Sequence, residues 1–436
     1  QRYGGRCVCK YHVNSQYLII PVMKHIIILG DGMADYPVER LAGKTPMQYA
    51  DTPYMDKLAS EGRTGRLVTV PAGYQPGSEV ANTAILGYNL DDVYEGRGPL
   101  EAASIGYDMT DDDFAIRCNI ITISDGKIVN HHGGHLSTAE GGVLIDYLNT
   151  HLGSDKVRFI TGIQYRHLLV IKGASKYIEC FPPHDHPNEA WKPLLVKPLS
   201  LTPEQADKER RMGRMSPQET ADLINDLIVK SHELLDKHPF NANRHLKANS
   251  IWPWSGGYRP DMLTLQQTWK QVKRGAVISA VDLIRGIGKY AGLRTIIVDG
   301  MTGQADTNYE NKAQAAIEAL KTDDFVFLHV EASDEAGHDG DLPLKLKTIE
   351  NLDRRIVKPI YEAVVGMDEG VRIAVLPDHL TPVELRIHVG EPVPFLIWQK
   401  GMTPDDVRTF DEISCVSGSY GLIRLQQFMQ VFMSDE

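Results

Sequence analysis

The chain has 436 residues, of which 42% are hydrophobic and 24% are charged, a composition typical of folded globular proteins. Its formal net charge of −11 argues against general binding to nucleic acid, because the phosphate backbone attracts surfaces rich in lysine and arginine. No apolar run approaches the roughly 20 residues of a membrane-spanning helix, so we expect no membrane partner.

The first 22 residues are interpreted as an N-terminal extension of the fold. Residues 1–22 lack the long apolar core and the cleavage site of a secretory signal, and Met23 directly precedes a strand-like segment. The five cysteines are an odd number, and only Cys7 and Cys9 lie close together in sequence, so neither a disulfide framework nor a zinc ribbon is indicated. A reducing cytoplasm is therefore the expected location.

Two segments near the start combine regular structure with polar side chains. A predicted strand, HIIILG from His25, is followed at once by Asp31 in GDGMAD. In PGSEVANTAILGYN, Ser78 follows a Pro-Gly turn and precedes an apolar pattern of helical spacing. A hydroxyl at a helix N-terminus lies where free N–H groups favour an anion such as phosphate. The alternative is a plain N-cap serine without a chemical role.

The middle of the chain predicts a second, smaller α+β domain inserted into the first. RCNIITISDGKIV from Arg117 is typical of a hairpin with an Asp-Gly turn, and YRHLLVIKG from Tyr165 predicts another strand. ETADLINDLIVKSHELLDKH predicts an amphipathic helix. We therefore place the inserted domain at residues 113–243 and the core domain at residues 23–112 and 244–436.

In the C-terminal half, three runs of β-branched residues predict further buried strands. They are RTIIVD from Arg294, FVFLHVE from Phe325 and RIAVLPDH from Arg372. Helical patterns from Asn311 and from Leu346 alternate with them. Alternating strands and helices predict an α/β fold with a doubly wound, mainly parallel sheet. Ligand-binding residues in such sheets lie at the carboxyl ends of the strands.

Acidic residues and histidines concentrate at these predicted strand ends. Asp334 and His338 are four residues apart in DEAGHDGD and would share one face of a helix. The others follow strands or a short loop: Asp31, Glu331, Asp378, His379 and His388. Carboxylate oxygens and imidazole nitrogens suit Mn²⁺ or Zn²⁺, and Mg²⁺ less well, so we expect two divalent cations, with Mn²⁺ favoured. Each residue alone could instead be a helix cap or an ordinary surface histidine.

The ordered motifs GDGMAD, PGSEVAN, EGRGPLEA, VEASDEAGHDGD and PDH resemble the archaeal-type, cofactor-independent phosphoglycerate mutase family of the alkaline-phosphatase superfamily. The resemblance covers nearly the whole chain from Met23 and implies an alkaline-phosphatase-like core. It assigns one cation to Asp334, His338 and His388. It assigns the other to Asp31, Ser78, Asp378 and His379. It also implies that Ser78 accepts the substrate phosphate as a phosphoserine and returns it to the re-oriented glycerate, without 2,3-bisphosphoglycerate.

Basic side chains must hold the carboxylate and the phosphate of such a substrate, and the planar fork of arginine suits both. The predicted substrate-binding residues here are Arg117, Arg166 and Lys345, with Arg97 and Arg259 as weaker candidates. The segment NHHGGHLSTAE departs from the mutase pattern, because His132 and His135 replace strongly basic groups. CFPPHDHPNEAW, with His184, stands near an Asp-Pro-His element of that family. Both segments are similar to a subgroup proposed to act as homoserine kinases.

Three functions therefore stay open at the level of sequence. The first is interconversion of 2-phosphoglycerate and 3-phosphoglycerate in glycolysis and gluconeogenesis, with a small phosphorylated metabolite as the partner. The second is a nucleotide-dependent homoserine kinase of threonine biosynthesis. The third is a phosphatase-type hydrolase, against which the inserted domain argues, because a transferase needs a lid that excludes water. Hinges for such a lid are expected near Asp113 and Asn243, and the sequence does not define an oligomeric state.

Overall fold

The structure is a computed structural model that describes residues 23–434. The predicted extension at 1–22, with its two cysteines, lies outside the described residues. The strands are β1 (Lys24–Gly30), β2 (Arg63–Val68), β3 (Asp113–Ser124), β4 (Lys127–Asn130), β5 (Val157–Ile163), β6 (Arg166–Lys172), β7 (Ile178–Glu179), β8 (Lys197–Pro198), β9 (Ser250–Gly257), β10 (Gly275–Ile278), β11 (Arg294–Thr295), β12 (Phe325–Val330), β13 (Val371–Leu376), β14 (Val393–Gln399) and β15 (Leu422–Arg424).

The helices alternate with these strands along the chain. They are α1 (Pro46–Tyr49), α2 (Pro53–Glu61), α3 (Ser78–Ile85), α4 (Leu90–Val93), α5 (Arg97–Ser104), α6 (Thr138–Leu152), α7 (Pro203–Arg211), α8 (Pro217–Asp236), α9 (Leu265–Thr268), α10 (Asp282–Tyr290), α11 (Tyr309–Thr322), α12 (Ala332–Asp339), α13 (Leu342–Leu352), α14 (Lys358–Val365) and α15 (Gln427–Phe432). A π-helical turn, Asp353–Val357, joins α13 to α14. Within residues 23–434, no helix combines the length and apolarity that crossing a bilayer requires.

The larger sheet has eight strands in the order β11-β10-β12-β1-β13-β14-β2-β15. β1 lies at its centre and pairs in parallel with β12 on one side and β13 on the other. Among the described strands of this sheet, only β14 runs antiparallel to both of its neighbours. Every residue of β1, β12 and β13 is buried, so both faces of the sheet are covered, as expected for parallel strands packed between helices. The predicted α/β class with a mainly parallel sheet is confirmed.

One predicted core strand is wrong. Only Arg294–Thr295 of the RTIIVD run pairs in the sheet, at its edge, and Ile297 is 68% exposed. The buried strand beside β12 is β10, whose short GAVI run the sequence reasoning passed over. β-branched residues fit any pleated surface, so their presence does not separate an edge segment from a central strand.

A second sheet contains β4, β3, β6 and β5 in that order, with β9 also paired to β3. The predicted hairpin is confirmed: Asp125 and Gly126 join β3 to β4, and both have positive φ, as a tight hairpin turn requires. The domain limits stay a prediction, but β9 at 250–257 extends this sheet beyond the predicted limit at residue 243. Pro253 in its middle hid this strand, because proline disfavours a strand assignment.

Helix α5, from the EGRGPLEA segment, packs between α10 and the second sheet. Two glycines allow this close approach. A Cβ at Gly98 would lie 2.3 Å from the carbonyl oxygen of Ala115 on β3, and a Cβ at Gly286 would lie 2.0 Å from that of Leu100. The backbones are therefore in direct contact, and α5 holds its side chains, including Arg97, between the two sheets.

Replacing Gly286 by alanine is expected to destabilise the protein, because the new Cβ would force α10 away from α5. Overpacking of this kind costs about 1–3 kcal/mol and should lower the midpoint of urea unfolding. The control is Gly366→Ala, where the nearest atom to the new Cβ, the carbonyl oxygen of Ala363, is 3.6 Å away. Equal midpoints for the two variants would contradict the close packing of α5 and α10.

Candidate metal centre

Four polar side chains meet at the carboxyl ends of the three central strands. Asp31 follows β1, Asp334 lies in α12 directly after β12, and Asp378 and His379 follow β13. Because these parallel strands end at the same edge of the sheet, residues distant in sequence become neighbours. All four side chains belong to residues that are at most 5% exposed.

Three groups of described side chains have possible ligand atoms within 4.8 Å of one another. They are Asp334 with His338 and His388, Asp31 with Asp334 and His379, and Asp31 with His329 and Asp378. These groups contain every histidine and aspartate that the sequence resemblance assigned to the cations. They add His329, which the sequence reasoning counted only as part of a buried strand.

The first group is built on the helix predicted for DEAGHDGD, and that helix is confirmed as α12. His338 Nε2 lies 3.3 Å from Asp334 Oδ2, and His388 Nε2 lies 3.4 Å from Asp334 Oδ1. The hydrogen bond with Asp334 raises the pKa of His338 to about 9. A cation bound between these atoms would take the place of that proton.

Ser78 faces the second and third groups. It is the first residue of α3, and Gly77 occupies the N-cap position, so the N-cap alternative is wrong. Its Oγ instead lies 3.3 Å from Asp31 Oδ2 and 3.2 Å from His379 Nε2. The hydroxyl therefore lies both at a helix N-terminus and among the candidate ligands.

Supporting side chains that the sequence reasoning missed orient these groups. Asn82, one turn after Ser78 in α3, donates to Asp378 Oδ2 at 2.9 Å and to the carbonyl oxygen of Ser78 at 2.8 Å. Thr381 donates to Asp334 Oδ1. The spacing of Asn82 from Ser78 was a usable signal, because residues four apart share one helix face.

The buried carboxylates of Asp31, Asp334 and Asp378 repel one another. Burial, then the charges of Asp378 and Asp334, raises the pKa of Asp31 well above its ordinary value. Burial and the nearby carboxylates of Glu335 and Asp334 raise the pKa of Glu331 to about 8. Cations would neutralise this charge, and the mixture of carboxylate oxygens with imidazole nitrogens fits Mn²⁺ or Zn²⁺.

Two predicted substrate-binding residues converge on Trp254 of β9. The Arg117 guanidinium lies 4.7 Å from the Trp254 ring centroid, and the His184 ring lies 5.2 Å from it. Arg97 lies 5.7 Å from the same ring and also pairs at 2.8 Å with Glu79, the residue after Ser78. These contacts connect the Ser78 segment with the second sheet.

The remaining predicted substrate residues take different positions. The rings of His132 and His135 are 4.1 Å apart, and His131 links His132 to His184 through ring contacts of 5.0 and 6.2 Å. Arg166 begins β6, and its charge acts on the buried carboxyl groups of Glu101 and Glu331. Arg259 is half exposed and lies 3.9 Å from Asp111, apart from this group.

The assignment of Lys345 to substrate binding is contradicted. The residue is fully buried, and its Nζ lies 2.8 Å from both Asp35 Oδ2 and the carbonyl oxygen of Thr381. Its ammonium group is thus used to hold the loops after β1 and β13 together. Nothing local in the sequence distinguishes this buried lysine from an exposed one.

Lys345→Met should destabilise the fold, because it leaves Asp35 buried without its counter-charge. Breaking a buried ion pair typically costs about 3–5 kcal/mol, so the urea midpoint should fall clearly. Lys347→Met is the matched control, since Lys347 is exposed on the same helix and should change stability by no more than about 0.5 kcal/mol. A Lys345→Met variant as stable as the control would contradict the structural role.

Added Mn²⁺ should raise the melting temperature, because it binds the folded centre and relieves carboxylate repulsion. At 100 times its dissociation constant the gain is about 2.7 kcal/mol. Asp31→Asn should remove part of this gain, because one of the two proposed cations loses a ligand, without lowering the melting temperature of the metal-free protein. The exposed Asp406→Asn should keep the full gain. A normal Mn²⁺ response in Asp31→Asn would remove Asp31 from the centre.

A family model and curated relatives of this chain carry the same family name. The family model described as 2,3-bisphosphoglycerate-independent phosphoglycerate mutase matches residues 59–241. A mutase of this name from Methanosarcina acetivorans is 47% identical over 408 residues, which cover 92% of this chain and 97% of the relative. A probable mutase of this name from Geobacter sulfurreducens is 42% identical, with coverage of 91% and 96%.

Two solved structures share this fold over almost the full chain. A protein of Pyrococcus horikoshii has a TM-score of 0.78 and 30% identity, covering 96% of this chain and 99% of its own. The cofactor-independent phosphoglycerate mutase of Thermoplasma acidophilum has a TM-score of 0.65 and 26% identity, covering 94% and 99%. The chain therefore belongs to the family of 2,3-bisphosphoglycerate-independent phosphoglycerate mutases.

Proposed function

We propose that the protein interconverts 2-phosphoglycerate and 3-phosphoglycerate through a phosphoserine at Ser78, with two divalent cations and no 2,3-bisphosphoglycerate. The observation that carries the proposal is the position of the Ser78 hydroxyl, 3.3 Å from Asp31 and 3.2 Å from His379 at the start of α3. The names of the full-length relatives from Methanosarcina acetivorans and Geobacter sulfurreducens supply the substrate.

The proposed cation ligands fall into two sets. Asp334, His338 and His388 would hold one cation, and Asp31, Ser78, Asp378 and His379 would hold the other. Bound cations neutralise charge on the attacking and leaving oxygens and lower the pKa of a nearby hydroxyl, with Mn²⁺ favoured by this mixed set of ligands.

Ser78 then performs the transfer in two displacements. Its Oγ forms a bond to phosphorus as the bond from phosphorus to the glycerate oxygen breaks. The proton of the Ser78 hydroxyl passes to the departing oxygen, which leaves a phosphoserine and free glycerate. The N–H groups at the start of α3 favour the charge on the transferred group. After the glycerate turns, its other hydroxyl attacks the phosphoserine and regenerates the Ser78 hydroxyl.

Arg97, Arg117 and Arg166 form the proposed grip on the substrate anions. All three guanidinium charges act on one buried carboxyl group, that of Glu101. They lower its pKa, but burial outweighs them, and the pKa of Glu101 is raised above its ordinary value. Glu79 pairs with Arg97 at 2.8 Å, so Glu101 and Glu79 place two carboxyl groups against three guanidinium groups, and positive charge remains for a phosphate or a carboxylate. We place the substrate between these arginines and Ser78.

Histidines would complete the substrate pocket on the second sheet. His184 contacts Trp254, which also contacts Arg117, so its imidazole can approach an anion held by the arginines. We retain His132 and His135 as residues that orient the glycerate, next to this group. The second sheet would also exclude water, which favours transfer over hydrolysis. A small phosphorylated metabolite in the cytoplasm is the proposed partner.

The first test supplies the Mn²⁺-loaded protein with 3-phosphoglycerate in the absence of 2,3-bisphosphoglycerate. A parallel sample receives ATP and homoserine under the same conditions. We expect 2-phosphoglycerate in the first sample and no phosphohomoserine in the second. The reverse result would replace the mutase proposal by the homoserine kinase, and free phosphate as the main product would replace it by a hydrolase.

Ser78→Ala should lower mutase turnover by at least about 10³-fold, because no nucleophile remains to accept the phosphate. Six proposed cation ligands are untouched, so stabilisation by Mn²⁺ should persist in part. Ser60→Ala is the control, since among residues 23–434 that hydroxyl bonds only to the carbonyl oxygen of Lys57 on α2. Normal turnover of Ser78→Ala would exclude the phosphoserine route.

A further inference from the structure

His329 is a buried histidine next to the last residue of the apolar strand β12. It is 1% exposed and lies opposite Leu29 in the pairing of β12 with β1. An imidazole ring in a sheet core needs partners for both nitrogens, because an unpaired buried polar group is costly. Its partners therefore indicate its role.

The two ring nitrogens face polar groups on the two neighbouring strands. Nε2 lies 2.9 Å from Asp31 Oδ2, after β1, and Nδ1 lies 3.2 Å from Ser279 Oγ, after β10. Since β10, β12 and β1 are adjacent in the sheet, Ser279, His329 and Asp31 form a chain of polar contacts across three strand ends.

Ser279 determines which nitrogen of His329 carries the hydrogen. Its hydroxyl oxygen accepts the N–H of Val281 at 3.0 Å. Within residues 23–434 the acceptor near this fully buried hydroxyl is His329 Nδ1, so the hydroxyl donates there. The hydrogen of the neutral ring is then on Nε2, the nitrogen that faces Asp31.

The two carboxylate oxygens of Asp31 have different contacts. Oδ2 faces both His329 and Ser78, whereas Oδ1 is buried and accepts no hydrogen bond from the described residues. The Nε2–H group of His329 is close to Oδ2 but is not aligned with it as in a regular hydrogen bond. A direct bond from His329 to a cation is the competing arrangement, because His329, Asp31 and Asp378 also form a possible ligand group.

We propose that His329 is a positioning residue of the metal centre: held by Ser279, it fixes the Asp31 carboxylate so that Oδ2 stays with Ser78 and Oδ1 is left for a cation. The inference rests on the proposed use of Asp31 as a cation ligand. A nitrogen that carries its hydrogen toward a carboxylate has no free lone pair for a metal, so positioning and direct ligation exclude each other. Hydrogen-bond partners of ligating carboxylates commonly control metal affinity in this way.

The test compares His329→Leu with His329→Gln in the full-length protein. Leucine fills the space without a donor, whereas the glutamine amide can place an N–H near the position of Nε2. Mn²⁺ affinity, measured by the paramagnetic resonance signal of free Mn²⁺, should weaken about 10- to 100-fold in His329→Leu and return to within about 5-fold of the wild type in His329→Gln. kcat should follow the same order, with KM for 3-phosphoglycerate unchanged.

Two results would overturn the proposal. Wild-type Mn²⁺ affinity in His329→Leu would show that Asp31 needs no support. Loss of one metal-bound nitrogen from the electron spin echo modulation of Mn²⁺ in His329→Gln would make His329 a ligand instead. If His329→Leu does not fold, Ser279→Ala is the second test of the proposal. This variant should weaken Mn²⁺ binding, although it changes no proposed ligand. Unchanged Mn²⁺ binding in Ser279→Ala would contradict the chain of contacts.

The affinity measurements need no turnover, so they separate this inference from the proposed reaction. A protein without mutase activity whose Mn²⁺ affinity still depends on His329 as described would retain the positioning role and lose the proposed function. An active mutase whose Mn²⁺ affinity is the same in both His329 variants and the wild type would retain the function and lose the positioning role.

Discussion

The confinement of three carboxylates at one edge of a parallel sheet is the constraint on which the rest of this structure depends. Asp31, Asp334 and Asp378 are buried together because β12, β1 and β13 are neighbours that end on the same side. Charges at this depth are costly unless something neutralises them. The surrounding imidazoles, the N–H groups at the start of α3 and the proposed cations all stabilise that concentrated negative charge.

The second sheet is connected to this centre through a short series of contacts. Glu79 follows Ser78 and pairs with Arg97, which lies over the Trp254 ring on β9, and Trp254 in turn contacts Arg117 on β3. The groups that we propose to bind the substrate on the second sheet are thereby connected to the segment that carries the hydroxyl of Ser78. The backbone of α5, which carries Arg97, lies in direct contact with that of β3.

Sequence reasoning succeeded where the information is local. Strand ends followed by acidic residues, and the spacing of Asp334 from His338, predicted which side chains would meet, because parallel strands share one carboxyl edge. It failed where the outcome depends on residues distant along the chain. Lys345 was misassigned because its partner Asp35 is 310 positions away, and His329 was passed over because its partners lie on other strands.

Ser78 is the proposed carrier of the phosphoryl group, and the stereochemistry at phosphorus tests this most directly. The substrate would be 3-phosphoglycerate with a phosphate made chiral by oxygen isotopes, and the configuration of the 2-phosphoglycerate product would be determined. Two successive in-line displacements each invert the phosphorus, so transfer through Ser78 predicts net retention. Net inversion would mean a single direct transfer and would contradict the phosphoserine.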